Sequence, residues 1–109
     1  MASYLIVETR DPFESRDVQF VVDTAAALRQ RGHDVTVYLV QNGVLAARKG
    51  ARVDNVDDLA DAGVALLVDD FSLAERGIDV EELRPACRVS TIDEFVGRLV
   101  SEETKAIWH

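Results

Sequence analysis

Two adjacent carboxylates, Asp69 and Asp70, close the apolar run 64–68 and are the chain's most conspicuous chemical pair. Neighbouring carboxylates hold a divalent cation or raise one another's pKa. The blander use is that one caps the turn that follows while the other faces water, which acidic residues at such junctions commonly do. Cys87 is the single thiol and a possible nucleophile, with Arg84 and Arg88 near enough in sequence to favour its thiolate. A lone cysteine is more often a small buried apolar residue. The two histidines, His33 and His109, with one cysteine supply too few ligands for a Cys/His zinc site, so neither metal nor cofactor is expected. No Gly-x-Ser-x-Gly occurs, and no acid-base triad can be assembled around these histidines. Residues 9–14 contain no glycine and two acids, which excludes a phosphate cradle of bare amides.

The elements that must position these groups follow from hydrophobic periodicity. Tyr4, Leu5, Ile6 and Val7 form a short unbroken apolar run, the pattern of a strand covered on both faces, ended by polar Glu8 to Asp11. Val18, Val21, Val22, Ala25 and Leu28 recur at helical spacing, and Arg29, Arg31 and Gly32 make a basic, glycine-stopped end. Asp11-Pro12 with Glu14 offers an earlier start to that helix. Strands are expected at 35–40, 64–68, 87–90 and 106–108, the last as an addition to four. Short helices are expected at 44–49 and, capped by Asn55 with Asp58, up to Ala62. Ser72 with Glu75 and Asp79 with Glu82 read as capped turns, and Thr91 with Glu94 caps a last helix that turns Phe95, Val96, Leu99 and Val100 inward.

Strands alternating with helices imply parallel pairing through right-handed crossovers. The expected fold is a single α/β domain over 1–109, a three-layer α/β/α sandwich with a mainly parallel four- or five-stranded sheet. In such sheets ligands bind outside the carboxyl ends of the strands. That rule gathers a candidate crevice from Arg10, Asp11, Asn42, Gly43, Asp69, Asp70, Ser72 and Arg76, with Arg10 and Arg76 placed to counter the Asp69-Asp70 charge. Cys87 opens the fourth strand and so belongs at the opposite, amino edge. A receiver domain also has carboxylates at strand ends, but its acidic pair follows the first strand and its lysine the fifth. Here the first strand offers Glu8 and Asp11 and Lys105 precedes 106–108, which makes phosphoacceptor chemistry at Asp69 or Asp70 the weaker reading.

Charge and composition limit the partners. Twenty acidic against twelve basic residues leave a net charge of −8, which repels nucleic-acid phosphates and anionic lipid surfaces. Hydrophobic residues at 48% and charged residues at 29% are those of a globular chain that folds without a crosslink. One cysteine, and no apolar run long enough for a signal or membrane segment, fit a cytoplasmic protein.

The order Asp11-Pro12-Phe13, Ala25-Ala26-Ala27-Leu28 with Gly32-His33-Asp34-Val35, then Val40-Gln41-Asn42-Gly43-Val44 resembles the DsrE/DsrF/DsrH group of sulfur-relay proteins, also known as TusD/TusC/TusB. The resemblance extends over nearly the whole chain. Residues 70–78 look like the segment after that group's third strand, and Ile92-Asp93-Glu94-Phe95-Val96 with Trp108 like the end of its DsrH/TusB type. It implies a small α/β subunit that packs into trimers or hexamers, alone or with DsrE-type subunits, and in sulfur-carrying members hands persulfide sulfur along through one cysteine. DsrE-type members have that cysteine at the end of the third strand, where this chain has Asp69-Asp70. A carboxylate forms no persulfide and opposes a thiolate beside it. Two expectations follow: a non-catalytic accessory or binding subunit, with Trp108 and Phe71 as candidate partner anchors, or a sulfurtransferase with Cys87 as relocated carrier.

Overall fold

Strands buried on both faces need nearly continuous apolar runs, and three such runs become the central β1 (Ser3–Glu8), β2 (Asp34–Leu39) and β3 (Ala65–Asp69), with the more polar and more exposed β4 (Cys87–Ser90) and β5 (Thr104–Trp108) at the edges. The computed structural model describes residues 2–51 and 56–109. The strands form one sheet in the order β4-β3-β2-β1-β5, and every neighbouring pair is parallel. The crossovers carry α1 (Val18–Gln30), a 3-10 helix (Gln41–Ala47), α2 (Val56–Asp61), α3 (Asp70–Glu75), a short 3-10 turn (Val80–Glu82) and α4 (Ile92–Leu99). This is the expected α/β sandwich, with the fifth strand present and the sheet wholly parallel.

Side-chain alternation along the strands divides the core in two. Ile6, Val35, Val37, Leu39, Leu66 and Val68 face α1 and α2, which bring Val21, Val22, Ala25, Val56 and Leu59. Leu5, Val7, Tyr38 and Leu67 face the other way, onto Phe95 and Leu99 of α4. One eight-residue helix, about 12 Å long at 1.5 Å per residue, is too small to cover this second face. The carboxyl end of that face is therefore left open, and this asymmetry creates the site.

Local differences from the sequence reading have physical causes. The Asp11-Pro12 signal makes a separate turn, in which Asp11 Oδ1 accepts the Phe13 N–H at 2.9 Å, and α1 begins only at Val18. The break expected at Gln41-Asn42-Gly43 opens the 3-10 helix: Gln41 turns the chain out of β2 with a left-handed φ of 55°, and its N–H is satisfied by Ser72 Oγ at 2.8 Å. Gly43 is buried against the end of β1: a Cβ there would stand 2.3 Å from the Glu8 carbonyl oxygen. Ser72 lies inside α3, whose N-cap is Asp69. The capping box of Asp79 and Glu82 and the Thr91 cap form as read. The Asn55 cap lies outside the described residues. Within α4 Phe95 is buried, whereas Val96 and Val100 are exposed, since the helix's apolar stripe is wider than the row of sheet residues beneath it.

Candidate functional site

Register brings the site's floor together. Val7 pairs with Tyr38 on one side and with Trp108 on the other, and Tyr38 pairs with Leu67, so Trp108, Val7, Tyr38 and Leu67 form one row across four strands on the α4 face. Two residues beyond Leu67 on the same face stands Asp69. Phe95 descends from α4 into this row, 4.6 Å from the Tyr38 ring centroid and edge-on to Trp108 at 5.9 Å. Phe71 and Ala74 of α3, Ile92 of α4 and Val40 complete a largely apolar hollow of about 760 Å³, with Thr9, Gln41, Asp69 and Asp70 as its polar groups. That volume lies within the range of small-molecule sites, about 300–1,000 Å³.

Asp69 is buried and fully engaged. Its Oδ1 accepts the Tyr38 hydroxyl proton at 2.8 Å, and its Oδ2 accepts both the Ser72 N–H at 2.9 Å and the Ser72 hydroxyl at 2.7 Å. Burial, and then the adjacent Asp69 carboxylate, push the Tyr38 phenol well above its ordinary value, so it stays a neutral donor. Asp70 begins α3 and is exposed. One carboxylate thus caps and the other faces solvent at the rim of the hollow.

The remaining crevice candidates divide between two places. Ser72 and Gly43 are buried behind the hollow, and Asn42 Oδ1 there accepts two bonds from the Arg76 guanidinium, at 3.2 and 3.0 Å, while Arg76 also donates to the Ser72 carbonyl at 3.1 Å. Arg10 pairs with Asp17 at 3.2 Å, and Asp11 serves its own turn, both toward α1. The expected pairing of Arg10 and Arg76 with Asp69-Asp70 is therefore corrected: each guanidinium has nearer acceptors on its own side of the loops.

Cys87 is separated from the hollow twice over. It opens β4, opposite Leu66 at the amino end of the sheet, and it packs with the α1 and α2 core, on the reverse face. Burial pushes its thiol up to about 11, against a smaller lowering by Arg84. Arg88, one residue on, points to the other face and pairs with Glu94 at 3.1 Å, so it does nothing for the thiol.

A second carboxylate at a strand end is buried, with a partner that the sequence did not indicate. Glu8, read as the polar end of the first strand, is 1% exposed; its Oε1 accepts the Arg10 N–H at 2.8 Å and its Oε2 lies 2.7 Å from His109 Nδ1. Alternation puts this pair on the α1 face, behind the hollow. His33 lies at the amino edge, where its Nδ1 accepts the Ala2 N–H at 3.1 Å. Among the described residues no group of three or more His, Cys, Asp or Glu side chains is placed to hold a metal ion. No described helix is long and apolar enough to cross a membrane.

Comparison with known structures gives the same architecture. The chain is similar to the ychN protein from E. coli, with 19% identity, full coverage of both chains and a TM-score of 0.86. It is also similar to the protein of unknown function MTH1491 from Methanobacterium thermoautotrophicum, at 19% identity over 98% of this chain and 97% of that one, with a TM-score of 0.82. At that identity the likeness concerns the fold. No curated protein sequence matches. A family model, however, spans almost the entire sequence, residues 2–105, and by that match the chain belongs to the DsrE/DsrF-like family.

Proposed function

We propose that the chain is a non-catalytic, oligomeric accessory or binding subunit of a sulfur-relay system. The observation that carries this reading is the state of Asp69: at the end of β3, where the resemblance leads one to expect the sulfur-bearing cysteine, a buried carboxylate is committed to three hydrogen bonds. The chain's one thiol supports the same reading from the other direction. A pKa of about 11 leaves on the order of one Cys87 in ten thousand as thiolate at pH 7, and its place on the reverse face keeps it from any substrate in the hollow. The net charge of −8 and family membership favour protein partners over nucleic acid or lipid. Assembly with further copies or with DsrE-type subunits agrees with exposed Phe13 and Phe20, which offer apolar contact outside the hollow.

The test is transfer. A low-molecular-weight persulfide is supplied as donor and a free thiol as acceptor, with the isolated chain as the only protein. Turnover is expected to equal the protein-free rate and to be the same for Cys87→Ser; catalysis that disappears in Cys87→Ser would overturn the reading.

A further inference from the structure

We infer that the hollow at the carboxyl end of the sheet takes a small organic cation, an amine or quaternary ammonium with an aromatic or aliphatic body. The inference deepens the proposed reading, since it presumes that the hollow handles no sulfur. Two properties lead to it. The body of the hollow is apolar and aromatic: Tyr38, Phe95, Trp108 and Phe71 all line it, and such rings attract a cation through their faces and an apolar body through burial. Its charge has one sign. Asp69 and Asp70 both line it, and no lysine, arginine or histidine does.

Neither negative charge is cancelled nearby. The three donors on Asp69 are a phenol, an amide and an alcohol, all neutral. Asp70 has no hydrogen-bonding or ion-pair partner among the described residues and is exposed. Arg76, at the end of α3, is held by Asn42, the Ser72 carbonyl and Glu75. Two carboxylates with no cation beside them, Asp69 within the apolar wall and Asp70 at its solvent-facing rim, repel persulfide, phosphate and carboxylate ligands and draw cations, Asp69 more strongly than it would in water. Trp108, 59% exposed and the chain's single tryptophan, stands in the same wall and reports on occupancy.

The test uses three probes of one shape, 4-phenylbutylammonium, 4-phenylbutanol and 4-phenylbutyrate, titrated against the full chain with Trp108 emission and calorimetry as parallel readouts. The ammonium is expected to bind saturably and at least about tenfold tighter than the carboxylate. That preference should shrink severalfold in Asp70→Asn and again when salt is raised from about 0.05 to 0.5 M. Equal or tighter binding of the carboxylate, or no saturable response to the ammonium, would overturn the inference; so would a Trp108 already covered by a second copy. Intact mass after a sulfane-sulfur donor is read on the same preparation. Sulfur on Cys87 sinks the accessory reading whatever the probes do, whereas an absent cation preference on an unmodified chain sinks this inference alone.

Discussion

Asp69 ties three pieces of the fold together through one carboxylate: the Tyr38 phenol, the Ser72 amide and the Ser72 hydroxyl all donate to it. Replacing it with alanine removes the α3 cap and leaves the Tyr38 hydroxyl and Ser72 without their acceptor, which should cost about 3 kcal/mol in urea unfolding; Asp69→Asn, which keeps part of the set, should cost less. Two groups set the alkaline limit. Tyr38 and Cys87 both titrate higher in the folded chain than unfolded. Folding therefore favours their protonated forms, and the contribution is complete below the unfolded values. For Cys87 it is lost between pH 9.0 and about 11, and for Tyr38 from its ordinary value of 10.0 upward. Denaturation midpoints should fall across pH 9 to 11, and less steeply in Cys87→Ala. At this scale the sequence disclosed the capping and solvent-facing division of Asp69 and Asp70 and the remoteness of Cys87, because strand ends are local signals; the Ser72-Glu75 spacing misled, since Asp69 takes the cap and Ser72 lies within α3. It did not disclose Glu8 with His109, about a hundred positions apart in the chain, since only the β1-β5 pairing brings them together.

Among the elements, two glycines make opposite predictions. Gly43 is pressed against the Glu8 carbonyl, so Gly43→Ala must displace the 3-10 helix or the end of β1; a loss of about 2–3 kcal/mol in thermal or urea unfolding is expected. Gly97 lies within α4 with open space where a Cβ would be, so Gly97→Ala should stabilise by about 0.5–1 kcal/mol. Strands and α1 were readable because a buried apolar run and a 3.6-residue period survive in one dimension. The aromatic wall was not. Tyr38 and Trp108 share a face only through strand order and register, and neither is written in either segment alone. The inward reading of Val96 and Val100 failed for a related reason: amphipathicity gives a helix's apolar side but not how much sheet lies beneath it.

For the whole molecule, unequal cover on the two sheet faces leaves an open hollow on one and confines the thiol to the other. Exposed Phe13 and Phe20 on the α1 side lead us to expect an assembly larger than a 12.0 kDa chain in light scattering, shifted toward the monomer by Phe20→Ser. The most direct test of the division between the carboxylate hollow and the half-buried, high-pKa thiol on the reverse face is intact mass after incubation with excess inorganic polysulfide at pH 7, native and urea-unfolded chains side by side. The native chain should keep its mass while the unfolded chain gains sulfur at Cys87. Rapid addition of one sulfur to the native chain, lost in Cys87→Ser, would contradict it.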